Sequence, residues 1–298
     1  MEIVKFNIGW ITAAVLSTCV ASASSAATLE VEPGSSIYYV DEGRGTPILF
    51  VPGWTMTSEV FVKQQAAFAK THRVIVLDPR GQGRSSKNGS QYTYIQQGND
   101  IDKLIQHLGV DKIVLVGWSY GCLATYAYVR NHGLGKISSY VCIDQSPYPL
   151  DIKGGPKWNE GPLTDTRDSF NGINYDRAEF TAAFAQWMVK RKLKPAELRW
   201  ITGIMESTPT GIAVQLAADA LFSDYRPELE KLSQEIPSLH VLGEEDAATA
   251  KPWLEKNAPK AKVEVLGRHM MFWEDSKAFN KIFSKFLKKT KTWKARDR

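Results

Sequence analysis

The chain has too little cysteine for a disulfide scaffold: three residues in 298. It holds no Cys-x-x-Cys pair and no His-x-x-x-His pair, so a structural zinc site has no ligand pattern. A Gly-x-x-x-x-Gly-Lys run is missing, which excludes a P-loop. No internal repeat is visible. Charge of one sign is also scarce outside one segment. The net charge is +5, but residues 276–298 carry nine basic side chains and one acid, leaving 28 basic and 31 acidic residues elsewhere. A slightly acidic body with a basic end does not read as a nucleic-acid groove. Hydrophobic residues at 43% and charged residues at 23% are ordinary for a globular enzyme or binding domain.

The first segment reads as an address. Lys5 precedes the apolar run Ile8–Leu16, and small residues follow through Ala27. That is the pattern of a secretory signal peptide over residues 1–26, cleaved after Ala23 or Ala26, and the apolar core is short for a membrane span. Thr18 before Cys19 departs from a lipoprotein box. The mature chain is then expected outside the cytoplasm, secreted or periplasmic, with no stable membrane insertion. Only Cys122 and Cys142 would remain. Both lie in apolar stretches and are expected as buried thiols, with a disulfide as the alternative.

Strand and helix patterns alternate from residue 37 to 145. Ile37–Val40 and Pro47–Val51 read as a first pair of strands joined by a turn. Arg73–Leu77, Lys112–Val116 and Ser139–Ile143 are continuous apolar runs, as strands buried on both faces of a parallel sheet must be. Ile101, Leu104, Ile105 and Leu108 mark one helix face. Residues 146–224 show helical patterns only. Strand–helix–strand then resumes with Ser238–Leu242, Thr249–Lys256 and Val263–Leu266. The expected class is α/β: a mostly parallel sheet with helices on both faces, a core of 27–145 and 225–298, and an inserted helical lid over 146–224.

Gly117-Trp118-Ser119-Tyr120-Gly121 follows an apolar strand at once and opens a helix. A sharp strand-to-helix turn of this kind thrusts a serine oxygen above the sheet. Serine needs a base to take its proton. His269, after the last strand and before the last helix, is placed to supply it. His72, His107, His132 and His240 fall in connectors, a helix end or a strand. The base needs an acid. Asp246, three residues past Gly243 at a strand end, is the first choice; Asp144, at the end of Ser139–Ile143, is the alternative, with Glu244 and Glu245 as solvated rivals. An oxyanion would be held by the backbone N–H groups of Tyr120 and Trp54.

With these residues in view, the chain resembles the α/β-hydrolase family, and within it the cofactor-free haloperoxidase-like serine esterases. The matching segments are Phe50–Trp54, Asp78–Ser85, Gly117–Gly121, Gly243–Asp246 and Gly267–His269. Pro52 departs from the His that many relatives carry there. The resemblance implies a serine hydrolase that cleaves a carboxylic ester or lactone through an acyl-enzyme, with no metal and no organic cofactor. Ser119, where dehalogenases and epoxide hydrolases of this fold carry Asp, supports that class. Trp158, Trp187, Trp200, Met205 and Met270–Trp273 suggest a small apolar or aromatic acyl substrate. Two rivals stand beside this reading. A peptidase of the same fold would grip a substrate amine with a lid acid such as Glu160, Asp165 or Glu179. A ligand receptor of low turnover is the other.

Overall fold

The computed structural model describes residues 25–150, 158 and 163–294. The eight strands are β1 (Ser25–Glu32), β2 (Ser35–Gly43), β3 (Pro47–Val51), β4 (Arg73–Asp78), β5 (Ile113–Trp118), β6 (Ile137–Ile143), β7 (Ser238–Leu242) and β8 (Lys262–Val265). The helices are α1 (Val62–Phe68), α2 (Tyr94–His107), α3 (Tyr120–His132), α4 (Leu163–Tyr175), α5 (Arg177–Trp187), α6 (Pro195–Glu206), α7 (Thr210–Leu221), α8 (Arg226–Glu235), α9 (Ala247–Asn257), α10 (Met271–Glu274) and α11 (Ser276–Lys294). None of the described helices is long and apolar enough to cross a membrane.

One sheet holds all eight strands in the order β1-β2-β4-β3-β5-β6-β7-β8. β1 and β2 pair antiparallel, β2 pairs antiparallel with β4, and every other pairing is parallel. β5 and β7 are buried along their whole length, as the unbroken apolar run of β5 requires. Helices on both faces keep such strands dry, and each fully buried Val, Leu, Ile or Phe contributes about 1.5–3 kcal/mol.

β2 and β3 are joined by a short turn, as expected, but they are not partners in the sheet; β4 lies between them. A parallel β3–β4 pair needs a crossover helix, which α1 supplies, so β4 returns into the gap that a simple hairpin would have closed. The edge strand β1 was not anticipated. It begins at Ser25, inside the segment read as an address, and pairs with β2 from Ser25↔Asp41 onward. The rest of the expected signal peptide lies outside the described residues.

The cysteine expectation is also corrected. Cys122 of α3 and Cys142 of β6 form a disulfide, with Cα atoms 5.8 Å apart. The parallel register sets Gly117 of β5 beside Cys142, and α3 folds back over β5 directly after the turn. The two side chains therefore meet although 20 residues separate them.

Candidate active site

Ser119 sits between β5 and α3 with φ 53° and ψ −138°, a conformation that costs a non-glycine residue free energy. Three contacts hold the turn there. The Ser119 N–H donates to Ile143 O at 2.9 Å, and the Cys122 N–H donates to Ser119 O at 2.7 Å. Gly53 packs so closely that a Cβ on it would lie 2.8 Å from Ser119 Cβ. The loop after β3 thus lies directly against the serine.

Gln82 fixes that loop. Its side-chain oxygen accepts from the Thr55 N–H at 3.1 Å, and its amide donates to Gly53 O at 3.1 Å and Met56 O at 2.7 Å. Thr55 itself has φ 58°. The Asp78–Ser85 segment is therefore a brace for the Trp54 loop: Asp78 accepts from Ser58 N–H and Arg84 N–H, and buried Arg80 forks onto Asp100. Gln82 was not singled out from the sequence, where it is one polar residue in a Gly-rich turn. The Trp54 ring is tied to α7 by an indole N–H bond to Ala213 O at 2.8 Å. Among the described residues, no acceptor takes the Trp54 backbone N–H.

His269 is buried, 8% exposed. Its Nδ1 lies 2.8 Å from Asp144 Oδ2. Its carbonyl accepts from the Trp118 indole at 2.8 Å, and the Trp187 ring packs 4.9 Å from the imidazole. The first-choice acid is corrected here: Asp144, not Asp246, is bonded to His269. Asp144 stands at the tip of β6 with φ 53°, its N–H donating to Val241 O. That left-handed turn aims the carboxylate across the tip of β7, where Gly243 N–H donates to Oδ1 at 2.5 Å. A Cβ on Gly243 would sit 3.0 Å from Oδ2. Asp246 lies three residues further along, at the start of α9, and its side chain does not cap that helix.

Asp246 nevertheless faces the same space. A pocket of about 470 Å³ is lined by Ser119, Tyr120, Asp144, His269, Glu245 and Asp246, with Trp54, Trp158, Phe180, Phe184 and Trp187 among its apolar walls. Burial, reinforced by the nearby Asp144 charge and opposed by His269, pushes the Asp246 carboxyl up to about 6. Among the described residues the Ser119 hydroxyl makes no hydrogen bond; serine–histidine bonds of this kind often close only around substrate.

The other candidates separate cleanly. Glu244 pairs with Lys190 and Glu245 with Arg268. His240 is buried within β7, and His132 bonds Asn99 at the surface. Trp200 stacks on Trp273 away from the pocket, and Met205 is core. Glu179 does not line the pocket. Glu160 lies outside the described residues, as does the Asp165 side chain.

A model of the α/β hydrolase fold matches residues 46–275. The chain is 26% identical over 223 residues to a non-heme chloroperoxidase of Kitasatospora aureofaciens, covering 72% of this chain and 78% of that protein. It is 32% identical over 150 residues to a bifunctional esterase/perhydrolase of Acinetobacter calcoaceticus, covering 49% and 54%. Among solved structures, a bromoperoxidase from Bacillus anthracis superposes with TM-score 0.82 at 24% identity, covering 89% of this chain and all of that one.

Proposed function

The chain belongs to the α/β-hydrolase family and is a hydrolase, and from that premise we propose that it cleaves a carboxylic ester or lactone through an acyl-enzyme on Ser119. One observation carries the reading: the strained Ser119 opens into a pocket that it shares with His269, whose far nitrogen is held by Asp144. Substrate closes the gap between Ser119 and His269. Ser119 Oγ attacks the carbonyl carbon as His269 Nε2 takes the hydroxyl proton. Asp144 holds the imidazole in the tautomer that can accept it and stabilises the imidazolium. The Trp54 and Tyr120 backbone N–H groups bind the oxyanion, and the start of α3 adds its dipole. The proton then passes to the leaving alkoxide, and water repeats the sequence to release the acid. Hydrogen peroxide in place of that water releases a peracid, so perhydrolysis is part of the same proposal.

The helices α4–α7 serve as the lid, with Phe170, Phe180 and Phe184 giving an apolar wall for the acyl or alkyl part. Export is proposed as well. The apolar run near Lys5 and the Cys122–Cys142 disulfide support an oxidising destination. Cleavage after Ala23 leaves β1 whole, so the mature chain is expected to begin near Ser24; N-terminal sequencing from a secreting host checks it.

The test of the chemistry is labelling with a fluorophosphonate followed by peptide mapping. Ser119 is the expected adduct, and Ser119→Ala is expected to lose p-nitrophenyl ester turnover. Labelling at another serine, or turnover that survives Ser119→Ala, sinks the assignment.

A further inference from the structure

Asp246 has no part in the proposed proton path, yet it faces the reacting serine's pocket. Its carboxyl accepts no hydrogen bond and joins no ion pair among the described residues. Its neighbours are settled: Glu244 with Lys190, Glu245 with Arg268, and Asp144 with Gly243 N–H and His269. No Lys or Arg lines the pocket among the described residues. The walls around it are rings and aliphatic groups, including Trp54, Phe180, Phe184 and Trp187. A partly desolvated carboxylate with no Lys or Arg beside it is unfavourable, and a cation brought by a ligand relieves it. Aromatic faces attract cations as well.

We propose that Asp246 is a specificity residue that recognises a cationic group, a protonated amine or a quaternary ammonium, on the ester substrate, with the aromatic walls packing round that group. The proposal rests on the serine-hydrolase reading for its substrate, but the cation site is measurable apart from it. Asp246 takes the place of the lid acids that the sequence offered for gripping an amine.

The decisive comparison is an isosteric pair, phenyl 4-(trimethylammonio)butanoate against phenyl 5,5-dimethylhexanoate, at pH 7.5 and low salt. Wild type is expected to favour the cation in kcat/KM by about tenfold. Asp246→Asn should bring the ratio to about one through the KM of the cationic ester, and Asp246→Glu should restore part of it. A wild-type ratio at or below one overturns the proposal, as does a ratio that survives Asp246→Asn. A large, equal fall in kcat for both esters in Asp246→Asn also overturns it, because Asp246 would then serve His269. Calorimetric titration with benzyltrimethylammonium needs no turnover. Binding that weakens at least fivefold in Asp246→Asn supports the cation site; equal binding in both proteins, or none in wild type, overturns it. If neither ester turns over while that binding stands, the hydrolase reading fails and the cation site survives. Asp246→Ser repeats each measurement should the Asn variant not fold.

Discussion

Asp144 at the tip of β6 and Asp246 at the start of α9 line one pocket with His269, and they differ in how each is held. Asp144 ends β6 in a left-handed turn, locked by its own N–H on Val241 O and by Gly243 N–H on its carboxylate. Asp246 lies beyond β7 at the start of α9, partly exposed and without a hydrogen-bonding partner among the described residues. A carboxylate fixed by two neighbouring strands can orient an imidazole. One left unpaired in an aromatic pocket is suited to meet a ligand. Proximity to His269 is common to both, so proximity alone does not assign the role.

The sharpest way to break this contrast is to neutralise each acid in turn. Asp144→Asn is expected to lower kcat on a neutral ester by about 10⁴-fold, since the wrong imidazole tautomer is then favoured. Asp246→Asn should cost at least a hundredfold less. Steady-state rates on p-nitrophenyl butyrate decide it, and the reverse ranking returns the orienting role to Asp246.

The strand beneath both aspartates offers the next largest effect. His240 of β7 lies beside Cys142 of β6, and burial lowers its pKa from 6.5 to about 4. The folded state therefore resists its protonation while the unfolded chain accepts it. The stability this provides is present above pH 6.5 and is lost as pH falls toward 4, by about 3 kcal/mol. Chemical denaturation between pH 4 and 7 should show that slope, and His240→Leu should flatten it.

Gly243→Ala probes the lock on Asp144. The new methyl would press on the Asp144 carboxylate at 3.0 Å, so a 10- to 100-fold fall in kcat is expected with KM little changed. An unaltered kcat would show that the Gly243 contact does not hold the acid.

The smallest effect concerns Asp246 and stability. Its pKa is raised from 3.8 to about 6, so its contribution is complete below pH 3.8 and lost as pH rises through 6. With allowance for its partial exposure, the charged form costs about 1–2 kcal/mol above pH 6. Asp246→Asn should raise the melting temperature at pH 8 and leave it unchanged near pH 4. A lower melting temperature at pH 8 would mean that the carboxylate has a favourable partner.

Much of this molecule was legible locally. Continuous apolar runs fit strands dry on both faces, and β3 through β6 follow them. The Gly-x-Ser-x-Gly turn binds strand, serine and helix within a few residues, so it needs no distant information. The loop after the last strand likewise put His269 at the same edge as Ser119. What tertiary structure alone decided is what depends on neighbours far apart in the chain. β4 entering between β3 and β2, the Cys122–Cys142 pairing across α3 and β6, and the brace from Gln82 to the Trp54 loop are of this kind. So is the choice of acid. Both aspartates follow strands and both line the pocket with His269, but one positive φ at Asp144 and one glycine N–H 99 residues away turn a single carboxylate onto the imidazole. Composition and spacing carry no record of a backbone dihedral or of a hydrogen bond between parallel strands, and these settle which acid the histidine meets.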